Sequence, residues 1–195
     1  GHRGHSVGEV CFNTSMTGYQ EIITDPSYSD QIINFTFPHI GNVGTNFEDI
    51  ESEKVWLKGV IFAKEITEPS NYRSFEKLNF WLEKNQIVGV AGVDTRAITK
   101  LIRNKGALKA TIVNGDINDT KKYLEKCKNW PGLNGMELTK KVTTQQIYNW
   151  NDEVLCSKEK VYNKNDEYKN HVVVLDFGCK KNILRNLSNL KTKLT

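Results

Sequence analysis

Residues 8–46 read GEVCFNTSMTGYQEIITDPSYSDQIINFTFPHIGNVGTN, and the turn-forming residues between its apolar segments leave few ways to place it in a fold. Val10 and Phe12 alternate with Glu9, Cys11 and Asn13, as a half-covered strand requires. Thr14, Ser15, Thr17 and Gly18 break that strand, and residues 18–23 suffice for a helical turn or two. Asp25-Pro26-Ser27-Tyr28 must end the helix, because proline lacks an amide hydrogen and restrains the residue before it. The turn leaves the Ser27 hydroxyl facing outward, and on pattern alone Ser27 reads as a local turn hydroxyl. Residues 31–37 form a second strand stopped by Pro38. Gly41 and Gly44 then bracket a loop where the backbone turns tightly or approaches another group.

Further along, residues 55–63 carry apolar side chains on both alternations, Trp56, Val60 and Phe62 against Leu57 and Ile61. Such a strand is covered on both faces. A helix is expected over residues 74–85, with Ser74 as N-cap and Phe75, Leu78 and Leu82 on one stripe beside Trp81. Residues 87–93 read as a buried strand. Asp94 caps the next helix, which turns Ala97, Ile98, Leu101 and Ile102 inward and Arg96, Lys100 and Arg103 outward before stopping at Gly106. Asp94, Thr95 and Arg96 could be read as a charged site, but an aspartate cap with an arginine reaching back to it is the simpler account. A strand at residues 111–113 and a helix at 119–128, capped by Asn118, complete the alternation. The fold class expected is α/β, a mixed α+β sheet domain with helices packed on it.

The segment 149–170, NWNDEVLCSKEKVYNKNDEYKN, has no period and reads as a linker between a domain at 1–148 and a second beginning at 171–195. There, residues 172–177 form a continuous apolar strand, Gly178 a turn, and residues 180–190 a helix with Ile183, Leu184, Leu187 and Leu190 on one face. This is the opening of a parallel sheet. It is not a dinucleotide site, because the loop carries Gly178 alone where G-x-G-x-x-G is needed.

Charge excludes one function class: 27 Lys and Arg stand against 23 Asp and Glu, interleaved, and no basic strip suited to nucleic acid emerges. No apolar run approaches the roughly 18 residues of a membrane span. GHRGHSVGE lacks the apolar centre of a signal peptide and does not begin with methionine. Cys11, Cys127, Cys156 and Cys179 are scattered, which points to a reducing compartment rather than a disulfide framework. The four histidines show no metal spacing, although His2 and His5 lie close enough to hold stray metal weakly.

Separated words carry a family resemblance: GEVCFNTSMTGYQEIITDPSYS, PHIGNVGTN, VDTRAITKLIRNKGA, PGLNGMELTKKVTT and HVVVLDFGCKKNILR, in that order. The chain resembles the small, glutamine-hydrolysing subunit of carbamoyl-phosphate synthetase, its N-terminal domain followed by the start of the class I glutamine amidotransferase domain. The resemblance implies a component that releases ammonia from L-glutamine for carbamoyl phosphate synthesis from bicarbonate and ATP, a carbon-nitrogen ligase activity serving arginine or pyrimidine biosynthesis. It implies a cysteine nucleophile activated by histidine and a carboxylate, with backbone amides stabilising the oxyanion. These catalytic groups are expected beyond Thr195, so the chain alone should be inactive, and Cys179 reads as an incidental thiol. Ser27, in the family's DPSYS motif, is the substrate-binding residue implied for L-glutamine. The expected partner is a large synthetase subunit or fused synthetase domains, with ATP and magnesium used there and no cofactor or metal in this chain. Neither nucleic acid nor membrane is expected as a partner. The expected location is the cytoplasm or an organelle matrix, and residues are expected in front of Gly1. The alternative is a non-catalytic scaffold domain of an ammonia-using synthetase.

Overall fold

A computed structural model describes residues 1–150 and 168–195. Most of the linker expected over 149–170, with Cys156, thus lies outside the described residues. The chain divides into two compact units, Gly1–Met136 and Glu137–Thr195.

The first unit is built on a five-stranded sheet. Its elements in order are β1 (Gly4–Asn13), α1 (Tyr19–Thr24), β2 (Gln31–Phe35), β3 (Gly59–Ile61), α2 (Leu78–Lys84), β4 (Val88–Val90), α3 (Thr95–Lys105), β5 (Leu108–Asn114) and α4 (Thr120–Asn129). The strand order is β4-β3-β2-β1-β5, with β1 to β4 parallel and β5 antiparallel to β1. This bears out an α/β fold. The sheet curls, so that the Asn114 side-chain amide of β5 donates to the Gly89 carbonyl of β4 at 3.1 Å. Gly59 permits the curl, because a Cβ there would lie 2.7 Å from the Val88 carbonyl and meet Ile112 still closer.

Alternation along β2 sends its side chains to opposite faces. Ile33 and Phe35 enter a core with Tyr19, Ile23, Val60, Phe62, Leu78 and Leu82, under α1 and α2. Ile32 enters a second core with Val10, Ile61, Val88, Ile112 and Ile102 of α3. Each such side chain contributes about 1.5–3 kcal/mol through burial; of the strand expected over 55–63 only Gly59–Ile61 is strand, and both its faces are covered, Val60 entering the first core and Ile61 the second.

Several expectations are corrected. β1 begins at Gly4, well before the alternating residues, because β5 pairs with it from Gly4 opposite Asn114 to Val10 opposite Leu108. α2 starts at Leu78, and Ser74 does not cap it. Thr45 captures the segment before the helix instead, with Thr45 N donating to Glu76 O at 2.8 Å and Phe75 N to Thr45 O at 2.9 Å, and Phe75 is exposed. The α4 cap is Asp119, whose side chain accepts from Lys122 N at 3.1 Å, because Asn118 N is bound by Asp116. On α3, Ala97 and Leu101 are exposed. The inward stripe is Thr95, Ile98 and Ile102, which faces Asn34 as well as apolar residues.

The second unit contains α5 (Leu138–Val142), β6 (Asn170–Val172), α6 (Lys181–Ser188) and β7 (Thr192–Leu194), with β6 and β7 paired in parallel. The continuous strand expected over 172–177 ends at Val172. Val173, Leu175 and Phe177 are exposed, and Asp176 bends the chain by accepting from the amides of Gly178 and Cys179 at 2.8 and 2.7 Å. On α6, Leu184 is buried and Ile183 exposed, and Leu190 lies exposed past the helix's end at Ser188, so the four-residue apolar face expected over 180–190 is only partly covered.

Candidate functional site

The site begins with a short helix tied down by its polar side chains. α1 buries Tyr19, Gln20 and Thr24 together with Ile23. The Tyr19 hydroxyl donates to Gly44 O at 2.7 Å, and burial holds the phenol far above its usual pKa. Gly44 itself has φ +71, and a Cβ there would collide with Ser74, so this close loop needs glycine. The Gln20 amide pairs with the Asn46 backbone at both ends, donating to Asn46 O at 2.7 Å and accepting from Asn46 N at 2.9 Å. The Asn46 side chain then organises the following loop by accepting from Glu48 N and Asp49 N.

Past Thr24 the chain enters the turn anticipated from its proline, a single 3-10 turn over Pro26–Tyr28. Asp25 is buried and its Oδ1 accepts from Ser27 N at 2.9 Å, the local side-chain bond that aspartate favours at such a start. Tyr28 N donates to Asp25 O and Ser29 N to Pro26 O, both at 3.2 Å. Beyond the turn, the Tyr28 hydroxyl accepts from Asn13 Nδ2 at 3.2 Å, and buried Asp30 pairs with Lys58 at 2.9 Å. Ser27 is the outward point of a segment held on both sides. It is exposed, and its hydroxyl makes no hydrogen bond among the described residues.

That arrangement limits the chemistry. A serine hydroxyl becomes a nucleophile only beside a base, and here no histidine or carboxylate hydrogen-bonds to it among the described residues. What remains is a presented donor and acceptor, suited to holding a polar ligand in one orientation.

The other singled-out residues lie elsewhere. Asp94 Oδ1 accepts from Ala97 N at 2.9 Å, the cap expected. Arg96 is exposed and forms no ion pair with it, so that half of the expectation is corrected: the bond to Ala97 N holds Asp94 as a cap without the arginine. Cys179 belongs to the Asp176 bend, and its Sγ contacts Lys180 O at 3.6 Å. Burial, then the nearby Glu9 charge, pushes the Cys11 thiol up to about 11, which keeps it protonated at neutral pH and unreactive. Among the described residues no three His, Cys, Asp or Glu side chains gather as a metal-ligand set. No helix among them is long and apolar enough to cross a membrane. Sequence reasoning did not single out buried Gln20 and Thr24, nor Asn46, the backbone partner of Gln20.

Residues 1–112 match the family model described as carbamoyl-phosphate synthase small chain, CPSase domain. A carbamoyl phosphate synthase small chain from Bradyrhizobium diazoefficiens is 49% identical over 202 residues, covering 100% of this chain and 50% of that protein. The protein of the same name from Zymomonas mobilis is 48% identical, with 100% of this chain and 53% of that protein covered. The one from Escherichia coli K12 is 49% identical, with 100% and 52% covered. The chain therefore spans about half the length of these curated relatives.

Proposed function

The chain belongs to the carbamoyl-phosphate synthase small-chain family, and from that premise we propose that it forms the amino-terminal part of a glutamine-hydrolysing small chain, in which Ser27 contacts the bound glutamine. Ammonia released there passes to a large synthetase subunit, or to fused synthetase domains, which combine it with bicarbonate at the expense of ATP, with magnesium. The compartment is the cytoplasm or an organelle matrix. The observation that carries the reading is the hydrogen-bonded DPSYS turn, which exposes one hydroxyl with no bond among the described residues, between buried Asp25 and Asp30. Glutamine presents an ammonium, a carboxylate and an amide, and a fixed hydroxyl orients such a ligand without touching the reacting carbon.

The experiment is a comparison of Ser27→Ala with the parent in a full-length small chain carrying this amino-terminal half. The apparent KM for glutamine rises about tenfold, the size of one lost hydrogen bond, while synthesis from free ammonia is unchanged. An unaltered glutamine KM overturns the assignment of Ser27. A full-length protein that uses ammonia but hydrolyses no glutamine overturns the glutaminase reading in favour of a scaffold. The present chain by itself, assayed for glutamine hydrolysis, gives no rate above background.

A further inference from the structure

We propose that Thr24 is a positioning residue for Ser27, setting the angle at which its hydroxyl meets glutamine; this rests on the reading of Ser27 above. Thr24 ends α1, three residues before Ser27, and is 2% exposed. Its hydroxyl has one proton and two lone pairs. The proton goes to Gln20 O, one helical turn back, at 2.8 Å, and a lone pair accepts from Glu51 N at 2.9 Å. The Thr24 carbonyl meanwhile lies 2.6 Å from Ser52 Oγ, whose single proton it shares with Lys54 O at the same distance. One residue thus joins the end of the helix to residues 51 and 52 through both its side chain and its backbone.

The loop bearing those partners is pinned a second time, because Asn46 is paired with Gln20. Two anchors on one helix, at residues 20 and 24, fix the helix against rotation as well as sliding. Beyond Thr24 the path to the ligand is short: Asp25 follows directly, and its carboxylate holds Ser27 N. If the helix end turns, the Ser27 hydroxyl turns with it. Binding groups must be held to within a few tenths of an ångström, and supporting hydrogen bonds do that holding.

Thr24→Val keeps the shape of the side chain and removes every hydroxyl bond, including a longer 3.3 Å contact to Glu21 O, whereas Thr24→Ser keeps the hydroxyl. Both are placed in the full-length small chain with its synthetase partner, alone and combined with Ser27→Ala. Thr24→Val raises the glutamine KM about tenfold, with kcat and the ammonia-dependent rate kept, and Thr24→Ser restores the parent KM. Because Thr24 acts through Ser27, the double variant binds glutamine no worse than Ser27→Ala alone. That non-additivity is something a general loss of stability would not produce. If Thr24→Val does not fold, Ser52→Ala, which removes the bond onto the Thr24 carbonyl, takes its place in the same cycle. Additive effects, an impaired Thr24→Ser, or an unmoved KM overturn the inference. When Ser27→Ala raises KM and Thr24→Val does not, only the inference falls; when Ser27→Ala itself leaves KM unchanged, the reading beneath it falls as well.

Discussion

The two compact units both contain short parallel strands and treat their apolar side chains oppositely. In the first, β2 has a strand on each side and helices over both faces, and Ile32, Ile33, Asn34 and Phe35 are all 0% exposed. In the second, β6 pairs among the described residues with β7 alone, and Val173, Leu175 and Phe177 just beyond it are 63–76% exposed. The second unit does have buried residues, Leu184 and Leu194. They border an apolar cleft of about 450 Å³ with Ile147, Tyr148 and Val173 among its walls. Apolarity sets what a strand can contribute, and the number of neighbours sets how much of it is realised.

The sharpest way to break this contrast is a pair of truncations. Phe35→Ala removes a ring stacked on Phe62 at 5.5 Å and should cost about 3–5 kcal/mol in urea unfolding of the first unit. Leu175→Ala removes an exposed side chain and should cost less than about 0.5 kcal/mol. Equal costs would end the comparison. Hydrogen exchange sharpens it along the backbone: amides of β2 should exchange only through global opening, those of residues 170–195 much faster, and a protease should cut the latter first.

A smaller effect tests a local device within the first unit. Asp94→Ala should lose about 1 kcal/mol through the bond to Ala97 N, and Arg96→Ala should lose nothing measurable in the same thermal melts. The smallest effect concerns Glu21 on α1. Burial holds its carboxyl above the usual value of 4.5, with its own backbone amide opposing and Asp49 reinforcing the shift. The folded state therefore binds the proton more tightly than the unfolded one, and stability falls as pH rises through the folded pKa. Glu21→Gln should raise Tm by roughly 1–3 °C at neutral pH. Below 4.5 that gain should vanish, and a gain of equal size at all pH values would contradict the burial account.

The outward serine was legible because Pro26 forces a turn, and a turn faces water. The Asp94 cap and the Gly106 stop were legible for the same kind of reason, since each acts within one helical turn. The Ser74 cap was misread because Thr45, 31 residues away from Glu76, pairs with the segment and delays the helix. Cys156 and most of the segment read as a linker fall outside the described residues.

Local chemistry in the sequence was enough to determine an alternating α/β chain, a proline-bounded serine turn, the two ends of α3 and, through five separated words, a family. Tertiary structure alone decided that the sheet curls through Gly59, that Leu101 and Leu175 stay exposed, and that Gln20 and Thr24 anchor the turn. The reason is distance along the chain. Caps and turns are settled by residues within a few positions, whereas the bonds of Gln20 and Thr24 reach 26 to 28 residues away, and a polar side chain carries no mark of a partner that only folding brings near.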